Sequence, residues 1–269
     1  MSSSPGLLCR ELARLCWPEV ERSAARDGST VIWPFGACEQ HGPHLPLATD
    51  ALFAERVCDA ALARLDPDLP VWRLPTQILG FSHEHRGFAG TLSLPPQVLL
   101  ALIQAVGEDL ASAGFRRLVL FNAHGGQIAL LEVAARTLHA SLPQLAVLPC
   151  FLWRGPEGIG PRIPEPERSA GLHAGLAETS LMLHLEPSLV GPDRRPDGAV
   201  APPPEGWSLE GDAPTAWLTR ELSASGVIGD PAAADASLGE ELFEALVEGW
   251  RMRFDALLRS AWPPGSGPG

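Results

Sequence analysis

Residues 34–50, PFGACEQHGPHLPLATD, concentrate side chains that bind metal ions. Glu39 and His41 are two positions apart, so in extended backbone both side chains point to the same side of the chain. Carboxylate and imidazole groups together suit Zn²⁺, Mn²⁺ or Fe²⁺. Asp50 begins the following helical pattern, where a carboxylate can bridge two cations or simply cap the helix. The spacing indicates one face of a metal site. The role of Asp50 stays open between bridging two cations and capping the helix.

Two further residues of this stretch have ordinary structural interpretations. His44 lies between two prolines, which favours packing or support of the neighbouring ligands over direct metal binding. Cys38 precedes Glu39, and its thiol is either a packing group or, as the less favoured alternative, a soft metal ligand.

A second candidate group is FNAHGGQ, residues 121–127. His124 stands where a predicted strand ends, and Gly125 and Gly126 let the backbone approach a ligand closely. The alternative is a helix-start turn with an incidental histidine. We favour the ligand role, because ligands of parallel sheets bind beyond the carboxyl ends of the strands.

Two other segments carry titratable side chains. In LHAGLAETS (172–180), His173 and Glu178 are candidates, although a Glu in the first helical turn also suits the helix dipole. The loop GFSHEHRGFAGT (80–91) is expected to line a substrate pocket, and its polar residues are Ser82, His83, Glu84 and His85.

The composition excludes several classes of function. A net charge of −12 argues against a nucleic-acid partner and against an anionic membrane surface. All 20 basic residues are Arg, so a phosphate-binding lysine and a Schiff base are excluded, and the absence of Tyr excludes a tyrosine acid. Five widely spaced cysteines without a C-x-x-C motif favour neither a disulfide framework nor a zinc ribbon.

Apolar runs and helical periodicities alternate along the first two thirds of the chain. This alternation predicts an α/β fold with a mostly parallel sheet covered by helices on both faces. Strands are predicted at 30–35, 71–75, 117–121 and 145–151, and helices from residue 50 and over 95–113, 126–138, 177–185 and 231–260.

Segments 155–168 and 192–212 are rich in Pro and Gly and are predicted to be irregular. We expect one domain over residues 1–262 and a disordered tail over 263–269. Neither a secretory signal nor an apolar run of spanning length is visible, so we expect a cytoplasmic protein.

Five segments, in this order, resemble the motifs of the creatininase (creatinine amidohydrolase) family. They are EQHGPHLPLATD (39–50), HRGFAGT (85–91), NAHGG (122–126), HAGLAETS (173–180) and GVIGDP (226–231), and together they extend over most of the chain.

The resemblance implies a three-layer α/β/α sandwich, often assembled as a homo-hexamer, with two divalent ions in one site. It implies metal ligation by Glu39, His41, Asp50, His124 and Glu178, with Asp50 bridging. It also implies that His173 is the catalytic acid–base and that Ser82 lies in the loop that contacts substrate. An alternative is a single-ion site in which Glu178 is structural.

Relatives of this family hydrolyse C–N amide-type bonds, and the sequence departs from creatinine amidohydrolase itself. Gly125 and Gly126 stand where that enzyme has an aromatic–acidic pair, which argues against creatinine, and Gln127 replaces the usual Asn. We expect a metal-dependent amidohydrolase that attacks a cyclic amide, a formamide or a small peptide with a water activated by two ions. Substrate contacts are expected from Ser82, His85, Gly125 and Gly126. The alternative is a protein that keeps the fold as a scaffold without the reaction.

Overall fold

Four parallel strands form the central sheet. The computed structural model describes residues 10–196, 203–211 and 213–263. Within these ranges the strands are β1 (Thr30–Phe35), β2 (Val71–Arg73), β3 (Arg117–Asn122) and β4 (Ala146–Phe151). Their order is β2-β1-β3-β4, and every neighbouring pair is parallel. The predicted α/β class with a mostly parallel sheet is confirmed.

Helices cover both faces of the sheet in the described part of the chain. The α-helices are α1 (Trp17–Ala24), α2 (Thr49–Ala63), α3 (Pro96–Ala113), α4 (Ile128–Ser141), α5 (Glu167–Ala170), α6 (Leu176–Leu185), α7 (Thr219–Leu222) and α8 (Ala236–Leu258). Helices α2, α6 and α8 pack on one face, and α1, α3 and α4 on the other.

The two faces have separate apolar cores. Successive residues of β1 alternate between them, since Val31 belongs to one core and Ile32 to the other. Because both faces are covered, all six residues of β1 and of β3 are buried. This is why both strands read as continuous apolar runs in the sequence.

Several predicted boundaries shift, most of them by one to three residues. The strand expected at 71–75 ends at Arg73. The helix expected from residue 126 begins as a 3₁₀ turn, Gly125–Gln127, because glycine is a poor helix former, and α4 starts at Ile128. The helix expected from residue 231 begins at Ala236, since the Asp235 side chain caps it by accepting from the N–H groups of Ser237 and Leu238.

The two segments predicted to be irregular contain little regular secondary structure where they are described. A 3₁₀ turn, Gly160–Arg162, lies in the first, and α5 begins at its end. Residues 197–202 and 212 of the second, and 264–269 of the predicted tail, lie outside the described residues. The single domain over 1–262 stays a prediction. None of the described helices has the length and hydropathy that crossing a membrane requires.

The register of β1 and β3 positions the polar motifs. Phe35, the last residue of β1, pairs with Asn122, the last residue of β3. The loops that leave both strands therefore start side by side, at the edge where parallel α/β sheets bind their ligands.

Gly36 allows α2 to begin against the end of β1. A Cβ atom at residue 36 would lie 2.4 Å from the backbone nitrogen of Ala51 and 2.5 Å from its Cα. Backbone atoms cannot move aside as a flexible side chain can, so only glycine permits this approach. Asp50 directly precedes Ala51. The close approach of Gly36 to Ala51 therefore also helps to position Asp50 at the edge of the sheet where the polar motifs meet.

We expect Gly36→Ala to displace the start of α2 and to lower the free energy of unfolding by about 1–3 kcal/mol, the usual cost of overpacking. Urea and thermal unfolding measure the change. Gly160→Ala is the control, because the nearest atom to its Cβ would be the Arg168 Cδ at 3.8 Å. Equal stability of Gly36→Ala and the wild-type protein would contradict this account.

Candidate metal centre

Residues from three segments meet beyond the carboxyl ends of β1 and β3. Glu39 and His41 come from the loop after β1, Asp50 from the first turn of α2, and His124 from the second residue after β3. All four are buried. The sheet register thus brings together the two motifs that the sequence separates by about 80 residues.

Glu39 lies at the centre of this cluster. Its Oε1 atom is 3.2 Å from Nδ1 of His124, 3.5 Å from Nε2 of His85, and 3.9 Å from both Nε2 of His41 and Nδ1 of His173. Four imidazoles therefore surround one carboxylate oxygen.

Asp50 joins two of these imidazoles. Its Oδ1 is 3.4 Å from Nε2 of His41, and its Oδ2 is 3.3 Å from Nδ1 of His124. Asp50 is the second residue of α2, and no side chain caps that helix. At this position the two oxygens of Asp50 face two different imidazoles, as a bridging carboxylate requires. The alternative role of Asp50 as a helix cap finds no support.

Backbone carbonyls orient three of the histidines. His41 donates from Nδ1 to the Glu39 carbonyl at 3.2 Å, and His124 donates from Nε2 to the Phe81 carbonyl at 2.9 Å. His173 donates from Nε2 to the Gln40 carbonyl at 2.7 Å. A carbonyl only accepts, so in the neutral imidazole the opposite nitrogen, which faces the cluster, presents a lone pair.

His173 and Glu178 enter the cluster from the start of α6. His173 forms a bridge with Ile228 of the GVIGDP segment through their backbones. Ala174 has a φ of 53°, an uncommon value for a residue other than glycine, and its N–H donates to Oε2 of Glu178 at 2.6 Å. One atom each from His41, His173 and Glu178 lie within 4.8 Å of one another.

Burial and mutual charge shift the titration of these groups. Burial lowers the pKa of His41, but the Asp50, Glu178 and Glu39 carboxylates outweigh it and raise the pKa to about 9. Burial raises the pKa of Glu178 to about 7. Burial also lowers the pKa of His173, as does the nearby His41. The carboxylates thus favour positive charge beside them, and a bound cation would supply such a charge.

The donor atoms fit a divalent ion. Both carboxylate oxygens of Glu39, Nε2 of His41 and Oδ2 of Asp50 are buried without a hydrogen-bond partner. Leaving such an atom unpaired costs about 1–3 kcal/mol, and more for a charged group. Carboxylate oxygens and imidazole nitrogens are ligands for Zn²⁺, Mn²⁺ and Fe²⁺. A bound cation satisfies all four atoms.

A cavity of about 750 Å³ opens onto the cluster. Its wall includes Glu39, Asp50, His85, His124, Gly125, Gly126, His173 and Glu178. Ser82 is fully buried and does not line this cavity, and its Oγ has no hydrogen-bond partner. Its substrate contact stays a prediction.

His44 and Cys38 lie outside the donor cluster. Nε2 of His44 contacts Oγ1 of Thr179 at 2.8 Å, which agrees with a supporting role. The Cys38 thiol has a weak contact with the Gly90 carbonyl at 3.9 Å, and no group of possible ligands among the described residues includes it. The soft-ligand alternative for Cys38 finds no support.

The sequence named Glu84 only as one polar residue of the 80–91 loop, and it did not point to Gln40 at all. Oε1 of Glu84 lies 3.2 Å from Nε2 of His124, and it fills the space that a Cβ on Gly126 would need. Gln40 contacts two histidines, His173 through its carbonyl and His85 through its amide. In the sequence, Glu84 is marked only by its position next to His85, and Gln40 only by its position between Glu39 and His41.

Comparison with known proteins agrees with this geometry. The family described as creatinine amidohydrolase (creatininase) matches residues 13–253. The chain is 37% identical over 225 residues to the mycofactocin precursor peptide peptidase of Mycobacterium tuberculosis, covering 81% of this chain and 82% of that protein. It is 29% identical over 269 residues to the creatinine amidohydrolase of Pseudomonas putida, covering 94% and 97%.

A solved structure named "Creatininase Mn" superimposes with a TM-score of 0.76 and 26% identity, and covers 93% of this chain and 99% of that one. The match to the family extends from before β1 to the last turns of α8, and it includes every residue of the buried cluster. The chain therefore belongs to the creatininase family of hydrolases.

Proposed function

We propose that this protein is a metal-dependent amidohydrolase that cleaves a C–N amide bond in a short peptide. The observation that carries the proposal is the set of buried, unpaired carboxylate oxygens of Glu39 and Asp50, which line one cavity and lie beside the unpaired Nε2 of His41. A volume of about 750 Å³ is within the range of small-ligand sites. The relative with 37% identity is named a peptide peptidase, which favours a peptide over creatinine.

Two ions, rather than one, are proposed because Asp50 faces two donor sets. Oδ2 lies beside Nδ1 of His124, and Oδ1 lies beside Nε2 of His41. Glu39 is shared, and Glu178 completes the set around His41. The donor types suit Zn, Mn or Fe. When bound, divalent ions lower the pKa of water and polarise a carbonyl group.

His173 is proposed as the acid–base. Since its Nε2 donates to the Gln40 carbonyl, the lone pair of Nδ1 faces the cluster. Nδ1 accepts the proton of the attacking water and then delivers it to the leaving amide nitrogen. Gly125 and Gly126 bring no side chain to the cavity wall, and since Glu84 fills the space beside Gly126, the close approach of substrate backbone is proposed at Gly125.

The homo-oligomer, a hexamer by family resemblance, and the cytoplasmic location stay predictions. The scaffold alternative differs from the enzyme in one measurable way, because it binds metal without turning over any amide.

Purified protein loaded with Zn²⁺ or Mn²⁺ is expected to hydrolyse short peptides, and to lose this activity in a chelator and regain it with metal. Creatinine and formamide, tested in parallel, are expected to be poor substrates. Metal-loaded protein that hydrolyses none of these amides would support the scaffold alternative.

We expect Glu39→Gln to abolish metal retention and activity together, because a neutral amide replaces the central carboxylate. Metal analysis after dialysis is the measurement, with about two ions per chain expected in the wild-type protein. Glu132→Gln on the exposed side of α4 is the matched control and keeps both properties. Full metal content in Glu39→Gln would remove Glu39 from the ligand set.

For His173→Gln, we expect the metal content to remain and kcat to fall by roughly 10²-fold or more, the usual contribution of an acid–base group. His184→Gln, also on α6 but outside the cluster, is the control. If His173→Gln loses metal instead, His173 is a ligand.

A further inference from the structure

His85 is held differently from the other three histidines around Glu39. His41, His124 and His173 each contact a backbone carbonyl with the ring nitrogen that does not face the Glu39 carboxylate. Among the residues that the structure describes, no backbone carbonyl is hydrogen-bonded to the corresponding nitrogen of His85, Nδ1. Its Nδ1 is 2.8 Å from the side-chain nitrogen of Gln40 and 2.8 Å from the hydroxyl oxygen of Thr219.

Two backbone groups determine the orientation of the Gln40 amide. Its Oε1 accepts from the N–H of Gly42 at 2.9 Å, and its Nε2 donates to the carbonyl of Gly226 at 3.2 Å. A backbone N–H only donates and a carbonyl only accepts, so the amide cannot be reversed without losing both bonds. The group that faces Nδ1 of His85 is therefore an N–H donor.

Nδ1 of His85 must consequently accept a hydrogen bond. In the neutral imidazole the single proton is then on Nε2. Nε2 is 3.5 Å from Oε1 of Glu39, but neither oxygen of Glu39 makes a hydrogen bond within the described structure. His85 lines the cavity, so this N–H is available to a bound molecule.

The same arrangement excludes His85 from the metal ligands. A neutral imidazole that binds an ion through Nε2 carries its proton on Nδ1, and at Nδ1 that proton would face the Gln40 donor. The four histidines thus divide by their hydrogen bonds: three present lone pairs to the cluster, and His85 presents an N–H.

We propose that the Nε2–H of His85 donates a hydrogen bond to the carbonyl oxygen of the scissile amide and to the oxyanion that develops from it. This inference rests on the proposed amide hydrolysis. Negative charge on that oxygen grows in the transition state, so a donor held in place stabilises the transition state more than the bound substrate. The proton stays on Nε2 throughout. Gln40 is the positioning residue that keeps it there.

The tautomer is testable without any substrate. In zinc-loaded protein labelled with ¹⁵N-histidine, the resonances that disappear in His85→Gln belong to His85. They are expected to show a protonated Nε2 and an unprotonated Nδ1. A proton on Nδ1, or coordination of Nε2 to the ion, would overturn the inference whether or not the protein is active.

The catalytic role is tested with the holoenzyme. His85→Leu is expected to keep its metal and to lose about 10²–10³-fold in kcat with a smaller change in KM, as for other oxyanion donors. His85→Gln keeps an N–H donor and should recover part of the loss. Loss of metal or wild-type kcat in His85→Leu would overturn the assignment. An inactive, metal-loaded wild-type protein would instead reject the proposed function.

Gln40→Glu tests the positioning role, because a carboxylate of the same size replaces the donor at Nδ1 with an acceptor. We expect the proton of His85 to move to Nδ1 in the ¹⁵N spectrum and kcat to fall about as far as in His85→Leu. Thr219→Val is the control and should keep the tautomer, since Gln40 alone holds the proton off Nδ1. An unchanged tautomer in Gln40→Glu would contradict the role of Gln40.

Discussion

The buried carboxylate of Glu39 is the interaction on which the rest of the site depends. A carboxylate without hydrogen bonds, removed from water, is costly unless positive charge lies close to it. The protein surrounds Glu39 with four imidazoles and places Asp50 beside two of them. The carboxylates favour positive charge at this point, which the proposed ions would supply. The family membership and the local chemistry thus favour the same kind of occupant.

Rigid connections between β1 and β3 maintain this arrangement. The side chain of Gln127 donates both to the Gly36 carbonyl, just past β1, and to Oδ1 of Asn122, at the end of β3. Asn122 in turn holds the backbone of His124 through two hydrogen bonds, of 2.7 and 2.9 Å. Gln127 therefore links the two strand ends.

The hydrogen bonds on the outer side of the cluster decide what each histidine does. Four chemically identical side chains lie around one carboxylate, yet a carbonyl or an amide N–H behind each ring selects the nitrogen that carries the proton. Lone pairs and an N–H can thus face one cavity and serve different parts of one reaction. The Gly125–Gly126 turn leaves part of the wall without side chains, and Glu84 fills the space beside it.

The sequence by itself determined the fold class and predicted which side chains meet beyond the strand ends. Alternating apolar runs and helical periods predicted the parallel sheet, because strands buried on both faces carry uninterrupted apolar residues. Spacing and motif order were enough to choose Glu39, His41, Asp50 and His124, since these residues follow strand ends that meet at one edge. Helix starts were less predictable, because a single capping residue such as Asp235 sets the first residue of a helix, and the apolar periodicity does not show where that residue is.

Only the tertiary structure decided the proton positions and the roles of Glu84 and Gln40. The Phe81 carbonyl that orients His124 is 43 residues away along the chain, and the Thr219 hydroxyl behind His85 is 134 residues away. No local pattern encodes partners at such distances. Which nitrogen of a histidine faces a site depends on the acceptor or donor behind it, and folding brings that group there.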